Sequence, residues 1–191
     1  MSWDHNSKRL LLQSLVEASH VQRWHTMPHL TDASLGKHMW GVATIVLVLC
    51  PNPSVALLAA CLTHDLHERW SGDTPYPARA ENALLAQGEK EVQEQVWAAL
   101  DHGNWENLLS DEERFWKQFA DMAECALWAR HETMMGNAYL DQARLGALKS
   151  CIDYAERKMR ECAYVGIVDA ISVIKKLAMT NRLSDLVSEI E

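Results

Sequence analysis

The chain has 191 residues, 48% of them hydrophobic, and a formal net charge of −8. That length suits one domain spanning 1–191 with ample material for a core, and no apolar run reaches the ~18 residues of a membrane span. The acidic balance argues against a nucleic-acid polymer as partner, which would need a basic face against its phosphates, whereas a small nucleotide needs only a few local cations.

Only eight Gly and five Pro punctuate the sequence, and apolar positions recur at three and four residues, so an all-α helical bundle is expected. The first helix spans 7–20, with Leu11, Leu12, Leu15 and Val16 as its inward stripe, and 21–32 reads as irregular. Ser34 can cap a second helix that carries His38 and runs through Met39, Val42, Ile45, Val46 and Leu49 until Pro51 stops it. Asn52 and Pro53 restart a third helix over 54–69, which delivers His64 and Asp65 near its C-terminal end. The stretch 71–77 is a loop. A polar helix over 79–100 and a connection containing Gly103 and Asn104 follow. Ser110 and Glu113 then form a capping-box pattern that starts the helix bearing Asp121. Gly136 ends that helix, and two more, over 137–162 and 164–190, complete the bundle. The five cysteines are widely spaced without a CxxC pair and read as buried thiols.

His64 and Asp65 follow the apolar run from Val55 to Leu62, where a charge is costly unless paired or ligated. His38 also lies on an apolar helix, and Asp121 sits beside Met122, Ala123 and Cys125. A lone histidine of this kind is more often a hydrogen-bonded core residue than a ligand. The set of four is another matter. Two imidazoles and two carboxylates suit one divalent cation, Zn, Co or Mn, with positions left for water and a phosphate oxygen.

Glu68, one helical turn after Asp65, could hold the attacking water or protonate a leaving oxygen. Asp73, between Gly72 and Pro75, could orient water or accept from a sugar hydroxyl; on sequence alone the two roles are interchangeable. Asp101 and Asp111 compete with Asp121 but occupy surface or cap positions, and His67, His102 and His131 are assigned to the surface or the surroundings of the site. Of the tryptophans, Trp97, Trp116 and Trp128 read as core or interface.

The order His38, His64-Asp65, Asp121 resembles the H…HD…D signature of the HD-domain metal-dependent phosphohydrolases. Arg23-Trp24, the segment from Asp32 to His38 and the segment from His64 to Pro77 are similar to the 5'-deoxynucleotidase branch, and within it to phage dATP triphosphohydrolases. The resemblance runs from Arg23 to Asp121 and extends to the C-terminal helices only in general character. It implies an HD-domain helical bundle in which His38, His64, Asp65 and Asp121 bind the metal, Glu68 assists the water or leaving group, and Arg23 and Trp24 contact the nucleotide. Where nucleotidases of the branch often carry an acidic residue before the first histidine, this chain has Lys37, which suits a longer phosphate tail. Arg79 and Lys117 could add charge-assisted bonds to that tail, and Pro77 could shape the base pocket beside Trp24.

The implied reaction is attack on the α phosphorus of dATP to give deoxyadenosine and triphosphate, with dADP and dAMP open to cleavage at the same ester. An additional Mg on the phosphate tail is compatible with it. The alternatives are a general 5'-deoxynucleotidase acting on monophosphates and a non-catalytic metal-binding HD module. The Gly-Tyr-Pro signature of HD-type cyclic-dinucleotide phosphodiesterases is absent, which disfavours that class. The first residues lack the apolar core and cleavage site of a signal peptide. The expectation is therefore a cytoplasmic protein, in the host cytoplasm if phage-encoded, without a membrane partner. By resemblance it is a homo-oligomer, a dimer or a hexamer.

Overall fold

Helix follows helix from His5 to Met179 in this computed structural model, which describes residues 5–100, 104–162 and 164–180. Among these residues there is no strand, and none of the helices is long and apolar enough to cross a membrane. The expected residues Asp101, His102 and Gly103, and the continuation of the last helix to 190, lie outside the described residues.

Helix α1 (His5–Ala18) buries Leu11, Ser14 and Ala18. The stripe is narrower than the pattern suggested, because Leu12 and Val16 sit about 100° further round the helix and are exposed. Helix α2 (Leu35–Leu49) turns Met39, Val42 and Val46 inward. Ser34 precedes it in extended conformation but makes no side-chain cap bond.

Helix α3 (Val55–Cys61) is capped by Ser54, whose hydroxyl accepts from Leu57 N at 3.0 Å. It ends eight residues before the expected boundary at 69. From Leu62 to His67 the chain runs in tight turns, held by bonds such as Thr63 N to Ala60 O and Leu66 N to Thr63 O, both 3.1 Å. Bonds to the third preceding carbonyl tighten the coil below α-helical pitch, and Thr63 Oγ1 caps back onto Ala59 O at 2.8 Å. His64 and Asp65 therefore sit on a turn and not in a helix.

A short helix α4 (Glu68–Ser71) follows, then α5 (Tyr76–Glu81) with Pro77 in its first turn. The polar helix expected over 79–100 is broken at Asn82, whose backbone is extended and whose side chain accepts from Leu84 N at 3.0 Å, so α6 covers Ala83–Leu100. A 3-10 turn (Trp105–Leu108) leads to α7 (Asp111–Met134), opened by the Ser110 and Glu113 capping box. Helix α8 (Asp141–Glu161) starts four residues later than expected, after a 3-10 turn, and α9 (Ile167–Met179) follows.

Helix α7 is the axis of the bundle, packing along α2 on one side and α8 on the other. Ala120, Ala123, Ala126 and Ala129 are buried along it, small enough to let neighbouring helices approach, while Phe115, Trp116 and Phe119 fill the end that meets Val42, Val46, Leu57 and Ile174. Phe115 stacks on Tyr154 with centroids 5.6 Å apart. A second cluster of Leu11, Ala18, Leu35, Met39, Leu66, Val96 and Trp97 holds α1 and α6 against the start of α2. The five cysteines are free; Cys50, Cys61 and Cys151 are buried, Cys125 and Cys162 half-buried.

Candidate metal centre

Helix α2, the turn after α3 and helix α7 bring three side chains, His64, Asp65 and Asp121, around His38 Nε2. His38 Nε2 lies 3.3 Å from His64 Nε2, 3.7 Å from Asp65 Oδ2 and 3.2 Å from Asp121 Oδ1. His64 Nε2 lies 3.2 Å from Asp65 Oδ2 and 3.9 Å from Asp121 Oδ1. An ion bound at about 2.1 Å spaces its ligand atoms about 3.0 to 3.5 Å apart, so the donors already stand near the separation that a cation requires.

The histidine tautomers point the same way. His64 Nδ1 donates to Cys61 O at 2.9 Å, and His38 Nδ1 donates to Glu124 Oε2 at 2.6 Å. A carbonyl or carboxylate oxygen can only accept, so each Nδ1 carries a proton. In the neutral rings each Nε2 then presents a lone pair, and two lone pairs face one another across 3.3 Å. A cation between them removes that repulsion, and a carboxylate or carbonyl behind a ligating imidazole is the usual support for one. Without a cation, protons take up part of the excess negative charge. Burial and Arg23 oppose protonation of His38, but bonds to Asp121 and Glu124 hold its pKa up at about 9. Burial raises Asp121, yet His38 keeps it down at about 2.

The Glu124 bond depends on a close approach of α2 to α7. A Cβ at Gly41, three residues after His38, would stand 2.7 Å from Glu124 Cγ.

Glu68 is buried, and its Oε2 has no hydrogen-bond partner. Burial, then the charge of Asp65, pushes its carboxyl up to about 9, although Arg23 pulls the other way. Arg23 Nη1 donates to Asp65 Oδ2 at 3.3 Å, which brings the guanidinium to the edge of the ligand set. Trp24 holds a left-handed backbone, φ 58°, uncommon for a non-glycine residue, and its ring stacks on Trp128 with centroids 4.9 Å apart. Asp73 stands 3.6 Å from His25, and Pro77 is exposed.

The three cations expected on a phosphate tail are each held by a carboxylate. Lys37 pairs with Asp32 at 2.9 Å, Arg79 with Glu89 at 2.8 Å, and Lys117 with Glu106. His67 is buried with Nε2 3.4 Å from Glu89, while His131 is exposed near the end of α7.

Sequence reading passed over several residues of the site. Glu124 supports His38, and the ligand atoms of His38, Asp121 and Cys125 lie within 4.8 Å of one another. Trp97 and Trp116 are buried as expected, but Trp128 is a half-buried platform for Trp24. The available signal was spacing: Cys125, Trp128 and Glu132 follow Asp121 by four, seven and eleven residues, one stripe of a helix.

The fold and its centre define a class: a helical bundle in which His38, His64 and Asp65 form a cluster that could hold a metal ion, with Asp121 beside His38. The chain belongs to the HD-domain family, a class of metal-dependent phosphohydrolases; the family's HD-domain model matches residues 18–186. Among solved structures the chain is similar to the HD phosphohydrolase DatZ of cyanophage S-2L, bound to dA and one catalytic Zn2+ ion. The TM-score is 0.60 at 22% identity, covering 87% of this chain and 95% of that one. No curated protein matches the chain.

Proposed function

We propose that this chain hydrolyses the 5' phosphate ester of deoxynucleotides, with dATP as first substrate, cleaved to deoxyadenosine and triphosphate. The observation that carries the reading is the convergence of His38, His64, Asp65 and Asp121 beside the buried, unpartnered oxygen of Glu68. A divalent ion held by these four residues, Zn, Co or Mn, would supply positive charge that makes water a better nucleophile and offsets phosphate charge. Water adds to the α phosphorus, the bond to the 5' oxygen breaks, and that oxygen takes up a proton. Glu68 is suited to hold this proton, since burial favours its neutral form. Asp73 is the second carboxylate available to orient water or bind a sugar hydroxyl.

Arg23 contacts a phosphate oxygen in this reading, supported by its bond to Asp65 at the edge of the cluster, and Trp24, backed by Trp128, is the aromatic wall for the base. The dA bound by the cyanophage protein supports the choice of a deoxyadenosine substrate. Pro77, Lys37, Arg79 and Lys117 complete the substrate assignments, with an additional Mg on the tail compatible with them. The same reading makes the protein a cytoplasmic homo-oligomer acting on small deoxynucleotides, in the host cytoplasm if phage-encoded.

A second reading, a monophosphate-preferring 5'-deoxynucleotidase, is favoured by one observation: Lys37, Arg79 and Lys117 are each already paired with a carboxylate. A product assay separates the two. Zn- or Co-loaded protein given dATP, dGTP, dAMP and dTMP should release deoxyadenosine and triphosphate from dATP. Consumption of monophosphates alone selects the second reading, and a metal-loaded protein that consumes none of the four is a non-catalytic module.

A further inference from the structure

We propose that Glu132 is a positioning residue that locks the loop bearing Arg23 and Trp24 onto α7 and thereby sets the affinity for the nucleotide. This rests on the assignment of Arg23 and Trp24 to substrate. Glu132 lies at the far end of the stripe that begins with Asp121, and its side chain is fully buried. Its two oxygens accept four bonds: from Leu30 N at 2.7 Å, Thr31 N at 2.7 Å, Thr31 Oγ1 at 2.5 Å and Asn137 Nδ2 at 2.9 Å. Asn137 also donates to Pro28 O at 2.9 Å, tying a third point of the loop to the same knot.

The loop is closed at its base as well. Arg23 N donates to Ala33 O and Leu35 N to Val21 O, both at 2.8 Å. Between base and tip, the ring of His29 meets Trp128 edge-on and that of Trp24 stacks on it. Trp24, in its left-handed backbone, has no repeating ladder to hold it, so its placement depends on these fastenings. One helix thus carries the metal ligand Asp121, the ring platform Trp128 and the loop anchor Glu132, eleven residues apart along a rigid rod. Loosening the anchor frees the recognition loop without moving the ligands.

The test is Glu132→Gln, which replaces one accepting oxygen with a donor and leaves a loop amide facing another donor. Amide exchange should quicken at Leu30 and Thr31 by at least about tenfold, the loss of a charge-assisted bond. In Co-loaded enzyme, KM for dATP should rise by about tenfold with kcat within about threefold, and Co affinity should stay at the wild-type value. Glu132→Asp should recover part of the KM. A general loss of structure would lower Co affinity and kcat together, and that outcome overturns the proposal. So does an unchanged KM in a variant whose loop exchange has quickened. Where Glu132→Gln fails to fold by circular dichroism, Thr31→Val removes a single bond and should raise KM about threefold; no rise overturns the proposal. If wild-type protein turns over no nucleotide, the functional reading has failed and this deduction from it falls too, while unchanged exchange in Glu132→Gln refutes the clamp itself.

Discussion

At the level of single residues, the support behind a ligand matters as much as the ligand. Glu124 accepts from His38 Nδ1 and fixes both the tautomer and the direction of Nε2. Loss of such a partner typically costs about 10- to 100-fold in metal affinity, so Glu124→Ala, which leaves His38 Nδ1 without its acceptor, should weaken Co or Zn binding by that factor in a chelator competition titration, with His38, His64, Asp65 and Asp121 all retained. Affinity equal to wild type would show that His38 needs no support. Gly41→Ala should act in the same direction through the Cβ contact with Glu124. Glu132 gives a separate prediction about acid stability. Burial raises its pKa, but bonds from Asn137, Thr31 and Leu30 bring it down from 4.5 to about 2. A depressed carboxylate stabilises the fold above its unfolded pKa and loses that contribution as pH falls through the folded value. The stability gap between wild type and Glu132→Gln should therefore be full above about pH 4.5 and shrink by roughly 3 kcal/mol towards pH 2. Urea titrations across that window measure it, and a gap independent of pH would contradict the assignment.

Among the elements, the turn after α3 most changes the picture drawn from sequence. The apolar run from Val55 to Leu62 reads as helix, and nothing in residue type marks where it tightens. The stop at Cys61 depends on tertiary contacts: in the turn His64 and Asp65, neighbours in sequence, both approach His38 Nε2, at 3.3 and 3.7 Å, whereas a regular helix sets neighbours about 100° apart. That His38, His64, Asp65 and Asp121 come together was legible because histidines and carboxylates in apolar settings are costly and few. The Ser110 boundary was legible because capping is local chemistry. The partners of Lys37, Arg79 and Lys117 were not, since Glu89 and Glu106 reach Arg79 and Lys117 from 10 and 11 residues away and Asp32 could as readily have faced solvent. Packing between elements is similarly hidden in the sequence. A Cβ at Gly36 would stand 2.8 Å from Ser19 Cβ, so α2 starts directly against the chain leaving α1. Gly36→Ala should destabilise the fold by about 1 to 3 kcal/mol, read as a lower urea midpoint; an unchanged midpoint would mean that the contact relaxes freely.

Taken as a whole, the molecule is organised around α7, which within 24 residues contributes to the aromatic core, the candidate metal centre and the anchoring of the loop before α2. An ion that binds the folded state and not the unfolded chain stabilises by mass action, so chelation should lower the melting temperature and added Zn or Co should restore it. A melting curve indifferent to metal would contradict an ion bridging α2, the turn and α7. The central claim is hydrolysis at the α phosphorus, and phosphorus NMR together with mass spectrometry of the products of dATP turned over in oxygen-18-enriched water tests it most directly. The account predicts deoxyadenosine without label and triphosphate labelled on a terminal phosphorus. Label in the deoxyadenosine, or products dADP and labelled orthophosphate, would contradict it.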